Sequence, residues 1–142
     1  MKLIMYTDGG ARGNPGPAGI GIFICNPEGD SVLEHGEAIG DSTNNIAEYS
    51  ALLEGIRKAK QLGATVLECF MDSELAVKQL NGEYKIKNYN LQKLADEVRA
   101  EVQELEKITF THVQREEPGI QRADQLVNFA LDYEEKKQKS RK

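Results

Sequence analysis

The sequence predicts an α/β fold: a mixed five-stranded sheet, three antiparallel strands followed by two parallel ones, with helices on both faces. Three observations carry this reading. Apolar runs separated by turn-forming residues fill the first 40 positions, the hydrophobic period becomes helical from Asn45, and strand-like and helical stretches alternate from Val66 onward. Strands joined through helices enter a sheet in parallel, by right-handed crossovers.

Leu3 to Asp8 is a short apolar strand that stops at the Gly9-Gly10 pair, and Ala18 to Asn26 is a second. Asn26-Pro27-Glu28-Gly29-Asp30 has the composition of a hairpin turn and leads into a third strand, Ser31 to Ile39, completing an antiparallel meander. Ile46, Tyr49, Leu52, Leu53, Ile56 and Ala59 recur at helical spacing, so a helix starts at Asn45 and ends where Gly63 follows Leu62. Val66 to Met71 is a fourth strand, flanked by helices and therefore buried on both faces. Ser73 to Asn81 is a short helix stopped by Gly82. Leu91, Leu94, Val98, Val102 and Leu105 mark another, Ile108 to Val113 is the fifth strand, and Ala123, Leu126, Val127, Ala130 and Leu131 stripe the closing helix.

The 142 residues suit one domain, taken as residues 1–135, followed by a basic tail, 136–142, that reads as a frayed, solubilising end with weak nucleic-acid contact as the alternative. Cys25 and Cys69 lie in apolar runs and read as buried, reduced thiols. There is no run of about 18 apolar residues and no signal-peptide pattern at the start, so a soluble, cytoplasmic monomer away from membranes is expected. Eighteen Lys and Arg against 23 Asp and Glu give a net charge of -5, which argues against holding nucleic acid by bulk electrostatics. A bound metal ion would reverse the field locally.

Four acids stand out. Asp8 precedes Gly9-Gly10-Ala11-Arg12-Gly13-Asn14-Pro15-Gly16-Pro17, Glu48 closes Thr43-Asn44-Asn45-x-x-Glu48, Asp72 opens Asp72-Ser73-Glu74, and Asp124 follows Arg122-Ala123. Each has a plainer explanation: Asp8 as a turn former, Glu48 in a capping box with Asn45, Asp72 as a helix N-cap, Asp124 as a solvated acid. Three of them fall at strand-to-turn or strand-to-helix junctions, where α/β folds place ligand sites. Four carboxylates without a Cys/His cluster suit hard divalent ions rather than zinc, and suggest phosphodiester cleavage with two metals.

In order and spacing these motifs resemble type 1 ribonuclease H over essentially the whole chain. The resemblance implies a ribonuclease H-like fold and a metal-dependent endoribonuclease that cuts the RNA strand of RNA:DNA hybrids, leaving 5′-phosphate and 3′-hydroxyl ends. It implies Asp8, Glu48, Asp72 and Asp124 as catalytic metal ligands, with Asp8 bridging two Mg2+ ions and Mn2+ as substitute. It also implies Gly9, Gly10, Asn14, Asn44, Asn45, Ser73 and Glu74 along the minor groove, where 2′-hydroxyls distinguish RNA from DNA, and Thr43 and Asn88 on a DNA-strand phosphate.

The chain departs from the family pattern in three places. It has no Trp and no basic helix inserted after the Asp72 helix, Asp41 stands where a basic residue would serve a phosphate pocket, and the loop Arg115-Glu116-Glu117-Pro118-Gly119-Ile120-Gln121 lacks the His found in many relatives. Glu116 or Glu117 is either a substitute for that His or a solvated acid, and His35 and His112 read as structural or surface residues. A nuclease that also cuts double-stranded RNA, and a catalytically weak hybrid-binding module, stay open as alternatives.

Overall fold

Nine elements appear in the computed structural model, which describes residues 1–140: β1 (Lys2–Ala11), β2 (Gly16–Cys25), β3 (Ser31–Ser42), α1 (Asn44–Gln61), β4 (Val66–Met71), α2 (Glu74–Leu80), α3 (Tyr89–Val102), β5 (Lys107–His112) and α4 (Pro118–Ser140). The five strands form one sheet in the order β3-β2-β1-β4-β5. The first three pair antiparallel, while β4 runs parallel to β1 and β5 parallel to β4. The mixed sheet and the element order agree with the sequence reading.

Several boundaries differ. β1 does not stop at the glycine pair: Gly9 and Gly10 stay in the ladder opposite Ile20 and Gly19, and pairing continues to Ala11 opposite Ala18. Asp8 is therefore inside a strand rather than at a strand-to-turn junction, because a glycine pair does not break a strand whose partner is already alongside. At the other end, Pro118 occupies the first helical position, where its missing N–H costs nothing. The same helix continues to Ser140, so residues 136–140 of the expected frayed tail are helical; the last two residues of that tail lie outside the described residues.

Strand alternation divides the layers. Leu3 and Met5 of β1, Ile20, Ile22 and Ile24 of β2, and Leu67 and Cys69 of β4 are buried in one core with Leu52 and Ile56 of α1 and Ala95 and Val98 of α3. The opposite face of the sheet carries α4, whose Ile120, Ala123, Val127 and Leu131 are buried. Here glycines serve as a floor. A Cβ on Gly21 would overlap the Ala123 carbonyl, and one on Gly36 the Leu126 carbonyl, so α4 rests on bare backbone. Both cysteines are free and buried as expected, and burial of Cys69 pushes its thiol well above the usual range. Among the described residues no helix is long and apolar enough to cross a membrane.

Candidate active site

Asp8 faces the α4 side of β1, opposite Gly21. One residue on, Gly9 passes beneath the first turn of α1, where a Cβ would come within 2.6 Å of the Glu48 nitrogen and closer still to the Ala47 carbonyl. Only glycine allows that approach, which brings Glu48 to Asp8. Tyr6 pairs with Phe70 across the parallel β1–β4 ladder, so Asp8 and Asp72 stand equally far beyond that pair, on β1 and just past the end of β4. The fourth acid arrives on α4, one residue after the Ala123 carbonyl that sits over Gly21.

The plainer roles for Glu48 and Asp72 fail, because neighbouring residues take them. Thr43 is the N-cap of α1, its Oγ1 accepting from the Ile46 N–H at 3.2 Å, so Asn45 and Glu48 form no capping box. Ser73 caps α2 in the same way, its Oγ accepting from the Ala76 N–H at 3.2 Å, which leaves Asp72 unused by the helix.

Asp8, Glu48, Asp72 and Asp124 line one cleft of about 310 Å³, together with Gly9, Gly10, Asn44, Arg12, Arg115 and Asn128. Burial, then the charges of Asp72 and Asp124, raise the Asp8 carboxyl to about 8. Burial also raises Glu48 to about 7, against a hydrogen bond from Ser73 that favours its charged form. Carboxyls this reluctant to ionise lack a compensating cation. Among the described residues, no three His, Cys, Asp or Glu side chains are drawn together closely enough to form a finished metal cage. The donor set nevertheless fits a hard divalent cation: all oxygen, from β1, α1, α4 and the β4–α2 junction, around a half-buried acid that is under-compensated without one.

Of the expected recognition residues, Gly9, Gly10 and Asn44 line the cleft. Asn44 Oδ1 accepts from the Ala11 N–H at 2.8 Å, and Asn14 Oδ1 accepts from the Asn44 N–H at 3.1 Å, tying the β1–β2 turn to the start of α1. Asn45 is exposed and outside the cleft, as is Glu74, which pairs with Lys78 at 2.9 Å. Thr43 lines a separate groove with Asn90 and Lys93, whereas Asn88 is the N-cap of α3, its Oδ1 accepting from the Leu91 N–H at 3.1 Å. Asp41 is not part of that groove.

Neither Glu116 nor Glu117 lines the cleft; the charge of Glu117 acts with burial to raise the Tyr6 hydroxyl instead. The loop contributes Arg115, whose Nε is 3.9 Å from Asp72 Oδ2. His35 pairs with Glu37 at 2.9 Å and His112 ends β5 opposite Met71, both outside the cleft. Sequence reasoning missed Arg115, Arg12 and Asn128. Asn128 lies four residues after Asp124, one turn along the same helix face, and that spacing was the available signal.

Comparison with known proteins agrees with this fold. A family profile described as reverse transcriptase-like matches residues 6–130. The bifunctional protein Rv2228c of Mycobacterium tuberculosis is 41% identical over 133 residues, 93% of this chain and 36% of that protein. Ribonuclease HI of Halobacterium salinarum is 39% identical over 131 residues, 92% of this chain and 65% of that protein. The chain thus spans about a third of the mycobacterial relative and under two thirds of the halobacterial one. The solved structure of the Halobacterium salinarum RNase H1 superposes with a TM-score of 0.89 at 37% identity, covering 93% of this chain and 98% of that one. An RNase H1 isolated from compost, solved in complex with RNA/DNA hybrid, gives a TM-score of 0.87 at 41% identity, covering 92% and 97%. Fold and cleft define an α/β protein with an acid-lined site at one end of a mixed sheet. The chain belongs to the ribonuclease HI family.

Proposed function

We propose that this chain is a metal-dependent endoribonuclease that hydrolyses the RNA strand of RNA:DNA hybrids, leaving 5′-phosphate and 3′-hydroxyl ends. The convergence of Asp8, Glu48, Asp72 and Asp124 from separate elements onto one cleft carries the reading. Family membership brings a dependence on divalent ions, and Asp8, Glu48, Asp72 and Asp124 would hold two Mg2+, or Mn2+ in their place. Such a pair of ions would supply activation of a water and charge neutralisation at the leaving 3′ oxygen.

The chain's own groups prepare the rest. Burial and its acidic neighbours push the Asp8 carboxyl up to about 8, and a cation held there would favour its charged form. Ser73 holds Glu48 by a hydrogen bond that favours the carboxylate. Because the Oδ1 atoms of Asn14 and Asn44 already accept backbone N–H groups, their Nδ2 groups are the ends left to donate to 2′-hydroxyls. Thr43 and Asn88 likewise use oxygen to cap helices, which leaves an O–H and an N–H for a phosphate of the DNA strand; Lys93 supplies a cation to the Thr43 groove. Arg115, 82% exposed at its side chain, supplies another at the cleft. In a chain of net charge -5 these local cations carry the attraction for a polyanion.

The test is cleavage of a labelled RNA:DNA hybrid beside single-stranded RNA, double-stranded RNA and duplex DNA, with Mg2+, Mn2+ or EDTA. Hybrid-selective cutting that needs the metal and disappears in Asp72→Asn, with hybrid binding kept in Ca2+, supports the reading. Cutting that survives EDTA or Asp72→Asn overturns it, and no cutting of any substrate leaves the chain a hybrid-binding module.

A further inference from the structure

We propose that Asn128 is a positioning residue that holds the Asp124 carboxylate in place across the cleft from Asp8, and that Arg12 sets the amide for this task. The proposal rests on the reading of the acid cleft as a divalent-cation site. Asp124 and Asn128 are one helical turn apart on α4, and Asn128 Nδ2 donates to Asp124 Oδ2 at 3.3 Å and to the Asp124 carbonyl at 3.1 Å. Which end of the amide faces Asp124 decides the effect, since its oxygen would repel a carboxylate and its NH2 attracts one.

Arg12 fixes that choice. A guanidinium has donors and no acceptor, and Arg12 Nη2 lies 3.3 Å from Asn128 Oδ1 and 3.5 Å from the Asn128 carbonyl. The amide oxygen is thereby committed to Arg12, and the NH2 is left to Asp124. Arg12 is itself held by Asp132 and Glu135, each at 2.7 Å. A line of contacts thus runs from the last turns of α4, through the residue beyond β1, back to the fourth acid. Arg12, Asn128 and Asp124 all line the cleft. An Asp on an open helix face samples several rotamers; this one is fastened before any ion binds, which is what an ion-binding carboxylate needs for affinity and geometry.

The intact chain tests this by calorimetric titration with Mg2+ and by steady-state hybrid cleavage. Asn128→Ala is expected to weaken Mg2+ binding about three- to tenfold and to lower kcat about tenfold, with KM for the hybrid within about twofold. Arg12→Gln should weaken Mg2+ binding in the same direction. Asp132→Asn removes one of the two carboxylates that hold Arg12 and leaves Glu135, so it should weaken Mg2+ binding in the same direction but by less than Arg12→Gln does.

A folded Asn128→Ala with wild-type Mg2+ affinity and kcat overturns the proposal, and so does a raised KM at unchanged kcat, which would make Asn128 a substrate contact. Should that variant not fold, the side-chain NH2 resonances of Asn128 in the unmutated chain decide: they shift on Mg2+ titration if Asn128 holds an ion ligand, and stay put if it does not. A wild type that neither binds Mg2+ nor cuts hybrid fails at the cleft reading itself, and takes this proposal with it.

Discussion

Asp8 and Gly21 stand opposite each other across the β1–β2 ladder, and the side chain that Gly21 lacks is the space in which the Ala123 carbonyl of α4 sits. One position therefore serves two ends: it keeps the neighbour of Asp8 empty and sets the height at which Asp124 arrives. Gly21→Ala would drive a Cβ into a backbone carbonyl, which cannot rotate away. Overpacking of this kind costs about 1–3 kcal/mol, and lifting α4 separates Asp124 from Asp8. Denaturant unfolding should register the first effect, and hybrid cleavage a loss of kcat larger than the stability change explains.

Metal-free stability should decline as pH rises. Asp8 and Glu48 hold their protons to about 8 and about 7 in the folded chain, above the ordinary carboxylate range, so the native state binds more protons than the unfolded one between those limits. Their contribution is fully present below about pH 4, and is lost as pH passes through the folded values. In EDTA the Tm should fall by several degrees between about pH 5 and pH 8.5. Asp8→Asn flattens that slope and raises the Tm at the alkaline end, while abolishing cleavage. Mg2+ restores the wild-type Tm at high pH, because cation and proton compete for the same carboxylates.

Arg115 should matter where the histidines do not. Its contact with Asp72 is exposed and long, so removing it changes stability little. Its cation faces the cleft, and Arg115→Ala should lower kcat/KM by about tenfold. His112→Ala and Glu117→Gln, both outside the cleft, should stay within about threefold of wild type under saturating Mg2+. A salt series adds a second readout: the wild type should lose hybrid affinity faster with rising salt than Arg115→Ala does.

Capping and phosphate contact can be separated at Asn88. Asp accepts the Leu91 N–H as Asn does, so Asn88→Asp keeps α3 capped and the Tm unchanged. The added charge repels a DNA-strand phosphate, and KM for the hybrid should rise. Asn88→Ala removes the cap and costs about 1 kcal/mol. A KM that follows Tm across both variants would leave Asn88 a structural residue.

The architecture was legible because its signals are local: the helical stripe Ile46 to Ala59, the alternation along β1, and turn residues between runs. The four acids were legible through the motifs around them, and the cleft holds all four. What escaped was set by contacts between distant segments. Gly9-Gly10 read as a stop because glycine weakens a strand, yet the ladder to β2 carries β1 through to Ala11. Glu48 and Asp72 read equally well as helix caps because sequence alone does not say that Thr43 and Ser73 hold those places. Arg115 was passed over for its acidic neighbours, since only the path of the loop decides which side chain meets Asp72.

Three of the four acids lie within the first 72 residues, whereas Asp124 enters on the last element of the described chain. During synthesis the acid cleft is thus closed only after all five strands have been made: a nascent chain can lay down its whole sheet and still have a three-sided cleft. For anyone evolving this protein, selecting for a complete acid cleft selects at the same time for correct seating of α4.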